Sequence, residues 1–361
     1  MRTLRLLLIC GVAIILAACG EPDLRSKAEG GDSMAQCSLG MMYRKGEGVP
    51  KDFTEAANWL RKAADQGDAT AQFNLGSCYE KGEGVAMDLA QGVSWYRKAA
   101  EQGNVSAQNN LGLCYLKGKG VAKDAEQAVS WLRKAADQGV ATAQTSMGYC
   151  YAEGEGVPKD LVQAVSWWRK AADQGDAQAQ FNLGNSYYNG EGAAKDLVQA
   201  VTWCRKAAEQ GYAFAQYNLG ISYAEGEGVP KDLVQAVSWW RKAADQGDAL
   251  ALSKLGYCYN IGEGVPKDLV QAVTWYRKAA DQGDATAQFN LAILYDNGEG
   301  VPKDYAEAYS WYNLAGISID GARKRRDEIE KSLSGEQKAR AQQRSTELHK
   351  EIEARKKAAG E

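Results

Sequence analysis

The sequence predicts an all-α protein, an α-solenoid of eight 36-residue helix-turn-helix repeats that ends in charged capping helices. Three residue types carry this prediction, because each recurs at a fixed step of 36 residues. They are a tryptophan from Trp59 to Trp311, a tyrosine from Tyr43 to Tyr295 and a glycine from Gly67 to Gly283. A period of about 20 to 50 residues held this strictly is typical of a solenoid, in which each repeat packs on its neighbours.

The first 18 residues predict a signal peptide of the bacterial lipoprotein type. Arg2 and Arg5 precede an apolar stretch over 6–16, which is shorter than the roughly 20 residues that a membrane-spanning helix needs. The stretch ends in Leu16-Ala17-Ala18-Cys19, which resembles a lipobox. That resemblance implies cleavage before Cys19 and acylation of its thiol, and two or three acyl chains anchor a protein stably. An ordinary secretory signal followed by an incidental cysteine is the alternative.

The residue after the cysteine bears on the destination. In enterobacterial lipoproteins an Asp at this place retains the protein in the inner membrane, whereas this chain has Gly20. We therefore expect a lipid-anchored protein of the bacterial cell envelope, in the outer membrane and facing the periplasm. The predicted organisation is a signal peptide (1–18), a lipidated N-terminus with a short tether (19–31), eight repeats (32–316) and capping helices (317–361).

Each repeat reads as two helices, A and B. In the second repeat Ala71, Leu75 and Tyr79 lie at i, i+4 and i+8 and give helix A one apolar face. Gly82 follows that helix and suits a left-handed C-cap, while Asp88 is a natural N-cap for helix B. The recurring Trp, Tyr, Gly and Asp residues are therefore predicted to serve the packing of helices against one another.

The C-terminal stretch differs from the repeats in charge. From Asp320 onward it has more basic than acidic residues, although the formal charge of the whole chain is −3. Ser334-Gly335-Glu336-Gln337 reads as a capping box between one helix over 320–333 and another over 335–356. The first of these is predicted to shield the end of the stack. Contact of 323–326 with lipid headgroups or an acidic partner is the alternative.

The repeat resembles the Sel1-like repeats, which are relatives of the tetratricopeptide repeats. The shared pattern is A-x-x-x-L-G-x-x-Y-x-x-G-x-G-V followed by A-x-x-W-x-x-K-A-A-x-Q-G. In one repeat its residues are Ala179, Leu183, Gly184, Tyr187, Gly190 and Gly192, then Ala200, Trp203, Lys206, Ala207, Ala208, Gln210 and Gly211. The resemblance implies a right-handed superhelix of antiparallel helix pairs that serves as an adaptor for other proteins. Members act in cell-envelope assembly, polysaccharide export, signalling and host interaction.

Positions that vary among near-identical repeats indicate where function lies. In helix A of the second repeat these are Thr70, Phe73, Ser77 and Glu80, which share one helix face. By resemblance to tetratricopeptide repeats, this face lines the concave groove in which ligands bind. We expect the partner-binding residues to be Phe73, Asn109, Leu113, Leu116, Tyr149, Phe181, Asn185, Tyr188, Phe214, Tyr217, Ile221, Tyr257, Asn260 and Phe289.

The chemistry of this face favours a polypeptide ligand. Four of the five Phe residues fall on it, and exposed aromatic surface is typical of anchor sites for a protein segment or helix. The three Asn residues can bond a ligand backbone. Packing of single side chains against the next helix A is the alternative. The face has few cations, so we do not expect a nucleic-acid ligand.

Enzyme chemistry is not expected. The sole histidine, His349, lies in the C-terminal stretch, so a Ser-His-Asp triad, a Cys-His pair or a multi-histidine metal site is not available. Some Sel1 relatives were linked to β-lactam hydrolysis, but the chain contains no Ser-x-x-Lys motif. We therefore predict no metal and no small-molecule cofactor. The functional prediction is a lipid-anchored scaffold that binds a polypeptide in its groove, the alternative being a surface-exposed lipoprotein that binds a host or glycan ligand.

Cysteines of the repeats are predicted to be packing residues. Cys78, Cys114, Cys150 and Cys258 share one position of helix A. Successive repeats would place them on the order of 10 Å apart, beyond the roughly 7 Å limit for a disulfide. A disulfide bond formed by Cys37 or Cys204 is the alternative.

Overall fold

The structure is a computed structural model that describes residues 21–359, and all regular secondary structure within this range is helical. Its contacts divide the chain into two compact units. The N-terminal unit ends at Asp176, and the C-terminal unit begins at Ala177. The predicted signal peptide and Cys19 lie outside the described residues. An α-solenoid of eight helix pairs with helices after the last pair is confirmed.

The N-terminal unit contains a first helix and four helix pairs. The first helix is α1 (Glu21–Glu29). Repeats 1 to 4 pair helix A with helix B as α2 (Ser33–Lys45) with α3 (Phe53–Asp65), α4 (Ala69–Lys81) with α5 (Leu89–Glu101), α6 (Val105–Lys117) with α7 (Ala125–Asp137), and α8 (Ala141–Glu153) with α9 (Leu161–Asp173).

The C-terminal unit contains the other four pairs and two further helices. Repeats 5 to 8 are α10 (Ala177–Asn189) with α11 (Leu197–Glu209), α12 (Ala213–Glu225) with α13 (Leu233–Asp245), α14 (Ala249–Ile261) with α15 (Leu269–Ala280), and α16 (Ala285–Asn297) with α17 (Tyr305–Ala315). The last two helices are α18 (Asp320–Glu330) and α19 (Gly335–Ala359).

Segment 21–29 is a packed helix, not the short tether that we predicted. Leu24 and Ala28 of α1 are buried against α2. Gln36 of α2 donates its side-chain N–H to the Ala28 carbonyl at 2.9 Å, just as Gln72 donates to Ala64 of the preceding helix B. The helix therefore takes the place that a helix B would have before repeat 1, because the first helix A also needs a neighbour for its apolar face.

The helix ends follow the predicted capping residues. Asp88 accepts a hydrogen bond from the Gln91 backbone N–H at 3.0 Å and begins α5. Gly82 ends α4 with φ of 69°, in the left-handed region that favours glycine. Ser334 accepts from the Gln337 N–H, while the Gln337 side chain accepts from the Ser334 N–H. The predicted capping box is therefore confirmed.

The last two helices cover the end of the array. Ala341, Leu348 and Ile352 of α19 are buried, and Ser310 of α17 donates to the Ala341 carbonyl at 3.0 Å. As a result Trp311, the last tryptophan of its series, has no solvent exposure. These helices cover the apolar face of the last helix B, which has no following repeat to pack against.

Candidate functional site

The invariant polar residues of the repeat are used within the framework. In repeats 1 to 6 the Gln before the recurring glycine donates to the Gln of the preceding helix A, as Gln102 does to Gln72 at 2.8 Å and Gln246 to Gln216 at 2.8 Å. In repeats 1 to 7 a Lys of helix B lies over the tryptophan three residues earlier, for example Lys242 at 3.7 Å from the ring centre of Trp239. Helix packing thus accounts for these recurring polar residues. The candidate binding residues are therefore those at the columns that vary, a column being the equivalent position in successive repeats.

The four variable columns of the A helices form a surface that we call the helix-A face. In the second repeat its positions are Thr70, Phe73, Ser77 and Glu80, and the other repeats contribute the residues at steps of 36. Side chains of successive A helices meet on or beside this face. In the N-terminal unit Thr142 lies 3.5 Å from Asn109, and in the C-terminal unit Ser253 donates to Asp284 at 3.2 Å.

In the N-terminal unit much of the helix-A face is occupied by the chain itself. Arg44 donates to Glu83, Asn74 and Ser77 at 2.8 to 3.1 Å, so its guanidinium fills the surface between repeats 1 and 2. The predicted Phe73 packs on the ring of Tyr96 at 5.7 Å.

The other predicted residues of this unit differ in exposure. Asn109 is buried and its amide bonds Asn110, so it serves the interior. Leu113 and Leu116 are half-buried, whereas Tyr149 is 46% exposed.

In the C-terminal unit the helix-A face is aromatic and open. Phe214 is 58% exposed, and Tyr257 and Tyr188 are also exposed. Phe181 is half-buried and lies 6.3 Å from Phe214 between ring centres. Tyr212 completes this aromatic cluster, at 5.3 Å from Phe181 and 5.8 Å from Phe214. The remaining predicted residues here are half-buried: Asn185, Tyr217, Ile221 and Asn260.

A cavity of about 500 Å³ opens beside Tyr217 and Tyr257 on the same face. Ser253, a small residue in a column where Tyr217 and Phe289 stand in the adjacent repeats, gives it room. Leu250, which is 51% exposed, and Lys254 also line it. The face therefore combines aromatic rings with recesses large enough for side chains of a ligand.

The last repeat differs, because α18 runs past its helix-A face. Phe289 packs on Tyr312 at 5.7 Å between ring centres, and a Cβ added at Gly321 of α18 would lie 3.8 Å from the Phe289 ring. Asp296, in the column after the tyrosine, is buried and accepts from Arg325 of α18 at 2.6 Å. Residues of α17 and α18 thus pack around Phe289. The open part of the helix-A face in this unit therefore lies in repeats 5 to 7.

Leu250 on the face and Tyr212 beside it were not among the predicted site residues. Tyr212 stands where most repeats have an Asp or Asn such as Asp248, and no side-chain cap bond forms at its helix. That loss of a capping residue is the signal by which the sequence marks it. Leu250 stands at the position of Thr70, which varies among the repeats. An aliphatic side chain at a variable position is the signal that marks Leu250 as a candidate binding residue.

The cysteines of the described chain are free and buried. Burial raises the pKa of the Cys37 thiol to about 12, helped by the nearby Asp68 carboxylate. Burial also raises the pKa of Cys204 to about 12 and that of Cys114, Cys150 and Cys258 to about 11. These thiols are protonated at neutral pH, which suits packing and not nucleophilic chemistry.

Residues 21–359 contain no group of three or more His, Cys, Asp or Glu side chains that could hold a metal ion. Among the helices of the same range, none has the length and apolar character needed to cross a bilayer.

The profile of the Sel1 repeat family matches the chain eight times in succession. The matches cover residues 33–68, 69–104, 105–140, 141–176, 177–212, 213–248, 249–284 and 285–316. The chain belongs to the Sel1 repeat family. Sel1 repeat solenoids are in general scaffolds for protein–protein interaction and are typically not catalytic.

A similar solved structure agrees with this membership. A Sel1 repeat protein from Oxalobacter formigenes is 34% identical, with a TM-score of 0.66 over 88% of this chain and 93% of the other. The protein c5321, a protective antigen present in uropathogenic Escherichia coli strains, is 33% identical over 91% of this chain and 94% of its own, with a TM-score of 0.42. A comparison with curated proteins gave no match.

Proposed function

We propose that this Sel1 repeat protein is a lipid-anchored adaptor of the bacterial cell envelope that binds a polypeptide partner on the helix-A face of repeats 5 to 7. The observation that carries the proposal is the aromatic cluster in which the exposed Phe214 lies beside the half-buried Phe181 and Tyr212. An aromatic ring as exposed as Phe214, at 58%, adds nothing to the core and leaves apolar surface in water. Buried aromatic anchors contribute most of the binding energy in protein interfaces.

The polar surroundings of the cluster support a polypeptide ligand over a nucleic acid. Carboxylates such as Glu225 and Asp284 line the neighbouring cavity beside Lys231 and Lys254. A face with mixed charge does not attract a phosphate backbone. Asn185 and Asn260 lie half-buried on the same face and offer amides for a peptide backbone.

The binding experiment compares two surfaces of one chain. A photoreactive phenylalanine analogue at Phe214, introduced in living cells, is expected to crosslink one partner, which mass spectrometry then identifies. The matched control places the same analogue at Val234, an apolar residue of α13 that is 67% exposed but lies on a helix B. Equal crosslinking of the same partner from both positions would contradict binding at the helix-A face.

The affinity is then measured with the purified partner. We expect the double change Phe181→Ala with Phe214→Ala to weaken binding by about 2 kcal/mol or more, roughly 30-fold, because it removes two aromatic anchors. The control is Val198→Ala with Val234→Ala, which removes exposed apolar side chains of helix B and should leave the affinity unchanged. Circular dichroism should be the same for all three proteins.

Anchoring and location need separate tests. Cys19→Ser is expected to abolish incorporation of labelled fatty acid and to release the protein from membranes. Added protease separates the adaptor from the alternative, a surface-exposed lipoprotein that binds a host or glycan ligand. A periplasm-facing protein resists protease on intact cells and is cut only after the outer membrane is opened.

A further inference from the structure

In repeats 1 to 7 helix A has a glycine that faces helix B, and in all but repeat 5 helix B places a large side chain against it. The residue directly after the recurring tryptophan is Leu, Tyr or Trp in seven repeats and Cys204 in repeat 5. In the same unit Trp240 packs so closely that a Cβ at Gly220 would lie 2.4 Å from its ring nitrogen. At the corresponding Gly184 the nearest side-chain atom of Cys204 is its Cβ, at 3.6 Å.

The small side chain of Cys204 leaves a pocket of about 140 Å³ that opens on the helix-A face. Gly184, Ala200 and Ile221 form apolar walls, and Asn185, Asn218 and Ser222 supply polar atoms. The Cys204 sulfur lies 3.2 Å from the Ala215 carbonyl of α12, so the thiol bonds the chain and the rest of the space stays open. We call this space the Cys204 pocket.

We infer that the Cys204 pocket binds a flat aromatic side chain of indole type from the polypeptide partner. The chain itself shows what such a space accepts, because in repeat 6 an indole fills the equivalent volume. There Trp240 is 4% exposed and donates its ring N–H to the Tyr217 carbonyl at 3.2 Å. In the N-terminal unit Trp168 does the same toward Thr145, also at 3.2 Å.

Size and position support this ligand class. A protein cavity of about 150 Å³ with apolar walls is known to bind a single aromatic ring. The Asn185 side-chain oxygen already accepts from the Asn218 amide at 3.2 Å, so the Ser222 hydroxyl is the acceptor that the pocket offers to a ring N–H. An indole therefore suits the pocket better than a phenyl ring. The pocket lies between α10 and α12, the helices that also carry Phe181 and Phe214 of the aromatic cluster. The inference thus rests on the proposed function and names one anchor of its partner.

The test uses free indole and the purified chain, and therefore needs no partner. Titration calorimetry is expected to show one saturable site with a dissociation constant of about 1 mM or tighter, which corresponds to about −4 kcal/mol. Cys204→Trp supplies the missing indole from within and should weaken indole binding at least about tenfold. Cys204→Ala keeps the space and should bind indole as the parent chain does.

A second measurement needs no variant and covers the case in which Cys204→Trp does not fold. Saturating indole should slow amide hydrogen exchange in α10 and α12, which line the pocket, while exchange in α2 and α4 of the N-terminal unit stays the same. Absence of saturable binding, unchanged affinity in folded Cys204→Trp, or unchanged exchange in α10 and α12 would each overturn the inference.

The two proposals fail in different ways. If the partner binds and the aromatic-cluster variants release it while indole does not bind, the adaptor stands and the pocket does not. If indole binds at Cys204 but the Phe214 analogue crosslinks nothing, the pocket stands without the adaptor. If both hold, Cys204→Trp should weaken partner binding about tenfold or more.

Discussion

Arg44 of the first helix A forms an ion pair of 2.8 Å with Glu83, which follows the second helix A 39 positions later. Both side chains are largely withdrawn from water, with 16% and 24% exposure. The guanidinium also donates to Asn74 and Ser77, so one side chain joins two repeats through three partners. Arg44 is the one cation at this position of helix A, where the later repeats have Glu80, Leu116, Ala152, Tyr188, Ala224, Asn260 and Asp296.

Arg44→Ala is expected to destabilise repeats 1 and 2. It leaves Glu83 and Asn74 partly buried without their donor, which costs about 1 to 3 kcal/mol. Hydrogen exchange of α2 and α4 should quicken accordingly, because repeats of a solenoid open locally. Lys45→Ala is the matched control, since Lys45 makes only an exposed ion pair of 3.6 Å with Glu47 and should change stability by less than about 0.5 kcal/mol.

Two glycines at the same position of their repeats should tolerate alanine differently. Gly220→Ala would push a methyl group against the Trp240 ring at 2.4 Å, and such overpacking costs about 1 to 3 kcal/mol. Gly184→Ala meets only the Ala200 carbonyl at 3.1 Å and the Cys204 residue beyond it. Alanine also gains up to about 1 kcal/mol over glycine within a helix, so this variant should be near neutral. Urea unfolding followed by tryptophan fluorescence measures both, and equal losses would contradict the packing difference.

The contact of α18 with the last repeat predicts a charge effect. Asp296 is buried at 6% exposure and accepts from Arg325 and from the Tyr312 hydroxyl. Arg325→Gln should destabilise the C-terminal unit by about 1 to 3 kcal/mol, because a buried carboxylate loses its cation. Lys324→Gln, which changes an exposed cation on the same helix, serves as the control. Asp296→Asn should restore part of the stability lost in Arg325→Gln.

Raised thiol pKa values predict a loss of stability at alkaline pH. The folded chain keeps Cys37 protonated up to a pKa of about 12, whereas an unfolded thiol titrates near 8.5. Above that lower value the unfolded state binds fewer protons, so the free energy of unfolding falls as pH rises, by about 1.4 kcal/mol per pH unit for each such thiol. This contribution is complete below pH 8.5 and is lost progressively toward pH 12.

Cys37→Ala isolates one thiol in this titration. The variant should have a lower free energy of unfolding than the parent chain, and this difference should be largest at pH 7. At pH 10 the difference should be smaller by about 1 kcal/mol or more, because the variant lacks the thiol that titrates. Urea unfolding at both pH values under reducing conditions measures the difference. A gap that does not change with pH would show that the Cys37 thiol titrates alike in both states.

The sequence by itself determined the architecture of the repeats, because their local signals agree with one another. The 36-residue step of Trp59, Asp88 at a helix start, Gly82 at a helix end and Ser334 in a capping box each depend on short-range geometry. Such geometry is repeated wherever the residues are repeated, so one correctly interpreted repeat predicts eight. Variation among the copies also located the helix-A face.

Only the tertiary structure decided which variable residues are open to a ligand. Phe73 and Phe289 pack on Tyr96 and Tyr312 of their own helix B, whereas Phe214 extends into solvent with only two aromatic neighbours. Exposure depends on the size of side chains in adjacent helices and on what covers the ends, and neither is local in sequence.

The ends of the array show the same division. The segment before repeat 1 keeps only part of the repeat pattern, with Leu24 and Ala28 standing 36 residues before Leu60 and Ala64. Even so, α1 packs where a helix B belongs, because the apolar face of α2 needs a neighbour. In the sequence Cys204 is one more small residue with no sign of a pocket. The indole of Trp240 in the next repeat shows how large the space beside Cys204 is. A periodic sequence fixes which face each side chain lies on, and packing against the neighbours decides how much room is left there.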